Sequence, residues 1–449
     1  MGKDYATLRQ TYGTFQYHAY TYEKKAESIL VTYDFEIVGL DHFHPTWEFP
    51  YSIEIEEAPL KVLLFSLGMV ELISYWKLTC APKVSVLCGN LTKEQIAWWK
   101  KLYYNGLGEF YYLNGIMDET IESFMQLCAN DTMEAIVEPI VVSPTQSGYL
   151  VPIGGGKDSV VTLELLHGLN QSVTTYSVNR IQAVADVIAL DEQKQGDILA
   201  KRRLDPKLIA YNKEGYLNGH TPFSAIVAFS SVISALLNGI EQIALSNESS
   251  ANESTVKDSH VNHQYSKSIE FENDFRGYMA GVLDTKITYY SALRPLLEVQ
   301  IAKLFARATK YHRIFRSCNA GSKEGIWCGE CPKCLFVYMI LLPFLSEEEL
   351  CGIFGGNLLE KSSLEQSFRE LVGIADNKPF ECVGTREEVV SALVYYREHA
   401  KRMPELLIDQ YETYLGEAQD SLEELLEQWQ EVHNVPLELE KELRRKLEL

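Results

Sequence analysis

The chain is short of positive charge. Its 449 residues carry 41 lysines and arginines against 62 aspartates and glutamates, which gives a formal net charge of −21. A nucleic-acid-binding surface usually needs a basic stripe that displaces counterions from phosphates, and the sequence contains no such stripe. We therefore expect no nucleic-acid partner and a small-molecule substrate.

Long apolar runs and an export signal are also lacking. The longest strongly apolar run, LFVYMILLPFL at 335–345, is too short to span a bilayer and is interrupted by Pro343. The first ten residues, MGKDYATLRQ, are charged, and no apolar segment of a signal peptide follows them. The nine cysteines are an odd number, which argues against a disulfide scaffold and for a reducing compartment. The sequence thus predicts a cytoplasmic protein with no membrane partner, and it leaves the oligomeric state open.

Two common phosphate-binding patterns are missing from a glycine-rich stretch, GGGKDS at 154–159. A Walker A loop needs a glycine five positions before Gly156, where Val151 stands, and a serine or threonine directly after Lys157. A dinucleotide-binding fingerprint needs a third glycine at the position of Ser159. Both of these nucleotide sites are therefore excluded.

The flanks of this stretch nevertheless favour a phosphate site. An apolar run, YLVPI, predicts a buried strand before it, and the apolar periodicity of VVTLELL predicts a helix after it. The turn then presents free backbone N–H groups at a helix N-terminus, where the helix dipole favours an anion. The alternative is a glycine-rich turn that only permits close packing of the strand and the helix.

Composition divides the chain into three parts. Residues 1–140 are aromatic-rich and mix strand-like and helical patterns, which predicts an α+β N-terminal domain. The stretch EPIVVSPTQSG at 138–148 is typical of a linker. Strands and helices alternate through 148–345, which predicts an α/β domain with a parallel sheet and helices on both faces. Residues 346–449 are charged and helical, and their charge runs favour solvated helix faces.

Four cysteines cluster in SCNAGSKEGIWCGECPKC. They are spaced C-x9-C-x2-C-x2-C, and we predict that they bind a structural Zn²⁺ ion: Cys318, Cys328, Cys331 and Cys334. Four thiolates fill the coordination shell of zinc, so this site would not act as a Lewis acid. Ordinary buried thiols, a redox dithiol pair and sulfur transfer through a persulfide are the alternatives.

Several of these stretches resemble known families. GGGKDS resembles the SGGxDS loop of the PP-loop ATP pyrophosphatases, with Gly154 where that family usually has serine. The loop, PLLEVQIAKLFA and the cysteine cluster together resemble the cyano-deazaguanine synthases over about residues 149–340. The order of LISYWK, GLGEF, GGGKDS, SNESSANES, VNHQYSKSIEFE and KPFECVGT is similar, over nearly the whole chain, to the UDP-N-acetylmuramoyl-L-alanyl-L-glutamate epimerases of the MurL family.

The MurL resemblance implies an activity. It implies a PP-loop fold of the adenine nucleotide alpha-hydrolase type and an ATP-dependent epimerase, which adenylates the terminal L-Glu of a nucleotide-sugar dipeptide, inverts it to D-Glu and releases AMP and pyrophosphate in peptidoglycan precursor synthesis. A carboxylate-adenylating ligase or synthase of the deazaguanine type, which incorporates nitrogen, and a non-catalytic nucleotide-binding module are the alternatives.

The same resemblance implies roles for individual residues. The β- and γ-phosphates of ATP would be held by Gly154, Gly155, Gly156 and Ser159. Lys157 would neutralise phosphate charge, and Asp158 would help to hold Mg²⁺, unless it is only an acid favoured by the helix dipole. The second strand end would contact adenine through Ser177, Val178 and Asn179.

The general base is left open. A base needs a tunable pKa and reach to the substrate, and the candidates are His263, Lys267, Glu272 and Cys382. His263 stands in a polar run, where a purely structural histidine would more often have apolar neighbours. Cys382 could equally be a core thiol.

Overall fold

The computed structural model describes residues 3–116, 119–142, 147–252, 262, 264–375, 377–399, 406–415 and 420–449. Their strands are β1 (Thr14–Lys24), β2 (Ser28–Ile37), β3 (Asp41–Phe43), β4 (Thr46–Pro50), β5 (Lys83–Val86), β6 (Gln126–Ala129), β7 (Ile140–Val142), β8 (Tyr149–Pro152), β9 (Val173–Val178), β10 (Gly196–Arg203), β11 (Gln242–Leu245), β12 (Leu283–Thr285) and β13 (Thr288–Ser291).

The helices of the first half of the chain are α1 (Tyr5–Thr11), α2 (Glu57–Trp76), α3 (Lys93–Gly106), α4 (Gly108–Leu113), α5 (Lys157–Gly168), α6 (Gln182–Leu190), α7 (Pro206–Lys213) and α8 (Phe223–Asn238). Those of the second half are α9 (Ile269–Val282), α10 (Glu298–Ala306), α11 (Pro332–Leu341), α12 (Glu347–Phe354), α13 (Glu365–Val372), α14 (Arg386–His399), α15 (Leu406–Gln410), α16 (Glu412–Leu415), α17 (Leu422–Glu427) and α18 (Leu437–Leu447). The predicted mixed α/β class with a helical C-terminal region is confirmed, whereas the PP-loop fold and the three domain boundaries stay predictions.

Two compact units make up the chain, and neither is continuous in sequence. The first unit contains Met1–Leu150, Ile198–Ile243 and Val261–Tyr289. The second contains Val151–Asp197, Ala244–His260 and Tyr290–Leu449. The glycine-rich stretch and the four clustered cysteines therefore belong to the same unit.

The first unit is built on strands in the order β10-β4-β2-β1-β5-β6, with β3 beside β2. β2 pairs antiparallel with β1, β3 and β4, and β5 pairs parallel with β1 and β6. Residues alternate along β2 between the interior and the outside, as the two-residue period of a strand requires. The inward positions Tyr33, Phe35 and Ile37 are fully buried, and α2 packs on β1 and β2.

Helix α2 is the core helix of this unit. By length and composition alone it could cross a membrane, and it is the one such helix among the described residues. Within the fold, 83% of its most apolar window is buried. Its C-terminal lysine, Lys77 of the LISYWK stretch, donates hydrogen bonds to the carbonyl oxygen of His220 at 2.9 Å and to the Thr221 hydroxyl at 2.6 Å. This lysine therefore anchors the segment before α8 to the end of α2.

Strands β13, β11, β8 and β9 are neighbours in that order, and the second unit contains β9 and the carboxyl ends of β8, β11 and β13. β8 and β11 pair in parallel, so their carboxyl ends lie at the same edge of the sheet. α5 follows β8 and packs against α10 and α18, and α11 packs against α13 and α14. Ligands of open α/β sheets bind beyond the carboxyl ends of the strands, and the segments that follow β8 and β11 both lie there.

Candidate active site

The glycine-rich stretch forms the predicted turn between β8 and α5. Gly156 is the N-cap of α5 and has no side chain to accept the hydrogen bonds of the first helical turn. Those N–H groups have no partner within the helix itself, and together with the helix dipole they form a site for an anion. The strand, the turn and the helix start are confirmed.

Gly155 is required by its surroundings, and Gly156 is closely packed. Gly155 has φ +85°, and a Cβ there would lie 2.9 Å from the backbone carbonyl carbon of Ala183. A Cβ on Gly156 would lie 3.0 Å from Cβ of Ser317. A Cβ on Gly154 would meet no atom within 4 Å, so the serine that usually stands at this position in PP-loop proteins would fit. The departure from the usual loop sequence is sterically neutral.

Lys157 lies buried between two carboxylates. Its Nζ contacts Oδ1 of Asp158 and Oε2 of Glu298, and its side chain is 2% exposed. Burial opposes the charge, but the two carboxylates raise the pKa of Lys157 above its usual range. The lysine is thus a fixed positive charge at the start of α5.

Three carboxylates converge at this lysine. One oxygen each of Asp158, Glu248 and Glu298 lies within 4.8 Å of the others. Glu248 and Glu298 are 3% and 1% exposed. Burial raises the pKa of Glu298 to about 8, and the carboxylates of Asp158 and Glu248 act in the same direction, against the ammonium of Lys157. Burial thus opposes the ionisation of Glu298, and a divalent cation would favour it; hard oxygen ligands of this kind fit Mg²⁺.

Glu248 is positioned by the loop after β11. Nη1 of the buried Arg294 donates a hydrogen bond of 2.6 Å to the carbonyl oxygen of Glu248. The Ser246 and Thr162 hydroxyls lie 2.8 Å apart, which ties this loop to α5. The described part of SNESSANES, residues 246–252, therefore lies directly beside the glycine-rich turn.

Glu298 is the first residue of α10. The backbone N–H of Val299 donates to Oε1 of Glu388 at 3.2 Å, so a second buried acid stabilises the start of this helix. A Cβ on Gly384 would lie 3.1 Å from Cγ of Glu298, which shows how closely the KPFECVGT segment covers this carboxylate. Three of the sequence stretches that resemble MurL proteins thus meet around Lys157.

Ser159 and the end of β9 are the remaining predicted contacts of ATP. The Ser159 hydroxyl is buried and donates to the carbonyl oxygen of Gly156 at 3.0 Å. β9 lies beside β8, and the Ile153 N–H donates to the Tyr176 carbonyl at 2.8 Å. Ser177 accepts a hydrogen bond of 3.2 Å from Nε of Arg180, and Asn179 has φ +49°. Val178 is half-buried between them.

The four clustered cysteines converge on one point. Their sulfurs lie within 4.8 Å of one another, the Cys318–Cys328 distance is 3.3 Å and the Cys331–Cys334 distance is 3.5 Å. A tetrahedral zinc site with Zn–S bonds of about 2.3 Å has sulfurs about 3.8 Å apart, so the donor set fits Zn²⁺. The Gly329 N–H also donates to the Cys334 sulfur at 3.3 Å, as backbone groups do to thiolates in metal sites.

This cluster supports the glycine-rich turn. The N–H of Arg316 donates to the carbonyl oxygen of Gly155 at 2.8 Å, and Ser317 packs against Gly156. Cys318 follows these two residues directly. A metal that fixes Cys318 would therefore also fix the segment on which the turn rests.

The candidate bases fall into three groups. Cys382 belongs to the unit that contains the turn, is half-buried, and accepts a hydrogen bond at its carbonyl oxygen from Nζ of Lys333. Lys267 ends a 3₁₀ turn and Glu272 lies buried in the first turn of α9, both in the first unit. His263 lies outside the described residues.

Sequence reasoning assigned no role to Glu248, Arg294 or Glu298. Glu298 stands between Leu297 and Val299 in an apolar helical pattern, and an acid on a buried face was the signal that could have identified it. Its partner Lys157 lies 141 positions away in the sequence, and no local pattern specifies that contact.

Comparison with known proteins identifies relatives of this chain by sequence. The model of the MurL N-terminal domain matches residues 6–292, and that of the MurL C-terminal domain matches residues 313–425. A UDP-N-acetyl-alpha-D-muramoyl-L-alanyl-L-glutamate epimerase of Salinispora tropica is 36% identical over 345 residues, 75% of this chain and 73% of that protein. Proteins with the same name from Xanthomonas oryzae pv. oryzae and a Micromonospora species are 33% and 35% identical, over 77% and 75% of this chain and 76% and 75% of their own lengths.

No solved structure matches the chain. The family is shown by sequence, because one family model alone covers more than half of the residues and the relatives exceed 30% identity over most of both chains. The chain belongs to the MurL family.

Proposed function

We propose that this protein is an ATP-dependent epimerase that inverts the terminal L-Glu of UDP-N-acetylmuramoyl-L-Ala-L-Glu to D-Glu. The observation that carries the proposal is the group of three carboxylates, Asp158, Glu248 and Glu298, around the buried Lys157 at a glycine-rich helix start. The printed name of the three relatives supplies the substrate.

The reaction explains why an epimerase would need ATP. Removing the α-proton of a carboxylate gives an enolate with two adjacent negative charges. If an oxygen of the α-carboxylate attacks the α-phosphorus of ATP, pyrophosphate leaves and a mixed anhydride forms. This anhydride no longer carries the negative charge of the carboxylate. A base then removes the α-proton, a proton returns on the opposite face, and water cleaves the anhydride to AMP and D-Glu. The net reaction consumes one ATP and one water. Hydrolysis of the anhydride drives the inversion in one direction.

The glycine-rich turn would bind the β- and γ-phosphates. The N–H groups of Gly155 and Gly156 and the first turn of α5 offer backbone donors, and Lys157 adds a charge that the protein has already buried and oriented. The Ser159 hydroxyl, which donates to Gly156, can still accept a hydrogen bond. The end of β9, residues 177–179, would contact the adenine.

The three carboxylates would hold Mg²⁺. Asp158, Glu248 and Glu298 supply the oxygens, and when bound the ion neutralises phosphate charge and assists departure of pyrophosphate. Arg294 acts on this group through Glu248, whose backbone it holds in place. The four cysteines would hold a structural Zn²⁺ that keeps residues 316–318 beneath the turn.

The activity is tested by incubating the protein with UDP-N-acetylmuramoyl-L-Ala-L-Glu, ATP and Mg²⁺, with and without ammonia. We expect D-Glu after chiral analysis of the hydrolysed product, with pyrophosphate and AMP released in equal amounts and no effect of ammonia. A product that contains new nitrogen and retains L-Glu would instead identify a ligase. ATP binding without pyrophosphate release across a panel of carboxylates would identify a binding module.

A further inference from the structure

A second group of metal-ligating side chains lies in the first unit, on the face of β2 that points away from the core. Asp34 and Glu36 alternate along β2 with the buried Tyr33 and Phe35, so both carboxylates lie on the outward face. β3 brings His42 opposite Glu36 as its antiparallel partner. A carboxylate and an imidazole thus meet across two strands.

A β-bulge adds a second imidazole to this group. In the pairing of β1 with β2, Tyr17 stands opposite Phe35 and Ala19 opposite Asp34, so that His18 is the extra residue. A bulge commonly re-aims a side chain, and here Nε2 of His18 lies 2.6 Å from Oε2 of Glu36. The imidazole rings of His18 and His42 are 5.3 Å apart between centroids.

The orientation of the His42 ring is fixed by a hydrogen bond to Asp34. Its Nδ1 lies 2.9 Å from Oδ1 of Asp34, while its Nε2 lies 3.7 Å from Oε2 of Glu36. The first distance is a hydrogen bond and the second is too long for one. Histidines that bind metals usually donate their other ring N–H to a carboxylate in this way, which orients the ring.

We propose that His18, Glu36 and His42 bind a first-row divalent transition metal of the Zn²⁺ class. One ligand atom of each of the three side chains lies within 4.8 Å of the others, and Oε2 of Glu36 is 2.6 Å from Nε2 of His18 and 3.7 Å from Nε2 of His42. The ion takes the place of the proton between His18 and Glu36. Asp34 is a positioning residue that acts through His42. Three protein ligands leave a fourth position for water.

The charge around the site suits a divalent cation. Neutral imidazoles with Glu36 and Asp34 supply two negative charges. Lys207 donates to the carbonyl oxygen of His42 at 2.9 Å, and its charge pairs with Asp41 at 2.6 Å. His44 adds a further imidazole, with Nε2 3.4 Å from Oδ1 of Asp34. The ligand side chains are 21–46% exposed, so the ion can enter from solvent.

The test uses the full-length protein with its cysteine-bound metal retained. Weakly bound ions are removed with a moderate chelator, and the protein is titrated with Co²⁺ and with Zn²⁺ at neutral pH by calorimetry and absorption. We expect one further equivalent to bind, a visible cobalt spectrum without the charge-transfer band of a thiolate ligand, and a rise in melting temperature with metal concentration. The affinity should fall on acidification, because the ligands must be unprotonated.

Four variants decide the assignment. His42→Asn should lose the further equivalent, and Asp34→Asn should weaken it about 10- to 100-fold while the direct ligands remain. His399→Asn, which changes an exposed histidine on α14 outside the group, should bind like the unmodified protein. Glu36→Gln serves as a second ligand variant if His42→Asn melts early. Absence of the further equivalent, a thiolate band in the cobalt spectrum, or unchanged affinity in both ligand variants would each overturn the proposal.

Discussion

Replacing Glu298 by glutamine should slow pyrophosphate release by about 10²- to 10³-fold while the protein stays folded. The substitution keeps the size and polarity of a buried side chain but removes one of the three carboxylates and the partner of Lys157. Removing one oriented charge of this kind from an active site lowers kcat by about 10²- to 10³-fold. Asp158→Asn should have an effect of the same order. Both are measured as pyrophosphate released in the presence of substrate, ATP and Mg²⁺.

Glu164→Gln is the matched control for this experiment. Glu164 lies on the same helix, α5, but outside the turn. Its carboxylate oxygen Oε1 lies 3.0 Å from Nζ of Lys310. We expect this variant to keep its activity and all three to have melting temperatures close to that of the unmodified protein. Normal turnover in folded Glu298→Gln and Asp158→Asn proteins would remove the nucleotide role of this group.

Replacing Cys331 by serine should remove one zinc ion per chain and destabilise the protein strongly. The four sulfurs lie within 4.8 Å of one another, as the ligands of one metal ion do. Binding of a structural zinc contributes several kcal/mol to folding. With about 2–4 °C per kcal/mol for a unit of this size, we expect the melting temperature to fall on the order of 10 °C or more. Activity should fall as well, because Cys318 adjoins the segment that contacts Gly155 and Gly156. Metal analysis and thermal melting measure the two effects.

Cys128→Ser is the control for this variant. Cys128 is a half-buried cysteine on β6, outside the four-cysteine cluster. It should keep its zinc content and lose little stability. If the unmodified protein contains no zinc and its four clustered thiols react freely, the cluster is not a metal site.

The turn and the cysteine cluster could be predicted because both are encoded locally. GGGKDS occupies six consecutive positions between an apolar strand and an apolar helical face, and the four cysteines lie within seventeen residues. Backbone conformation and ligand spacing follow from such short patterns. The adenine contact of residues 177–179, in contrast, is implied only by the resemblance to PP-loop proteins.

The rest of the site depends on contacts between distant segments. Glu298 reaches Lys157 through the packing of α10 on α5, and Glu248 reaches Glu298 through the pairing of β11 with β8. Neither contact follows from a local period or motif. The first unit likewise takes in residues 198–243 and 261–289, so composition along the chain could not delimit it. The outward histidine group depends on a bulge at His18, which the alternation of β1 alone does not reveal.

The central claim is that ATP serves to acidify the α-carbon of glutamate, and proton exchange in deuterated water tests it most directly. With UDP-N-acetylmuramoyl-L-Ala-L-Glu, Mg²⁺ and ATP, the D-Glu product should carry deuterium at Cα, and without ATP exchange should be negligible because the barrier to the doubly charged enolate remains. Replacing the residue that acts as base should stop this exchange and leave ATP–pyrophosphate exchange intact, since adenylation takes no proton from carbon. Steady ATP turnover with protium fully retained at Cα would contradict the account and favour a ligase.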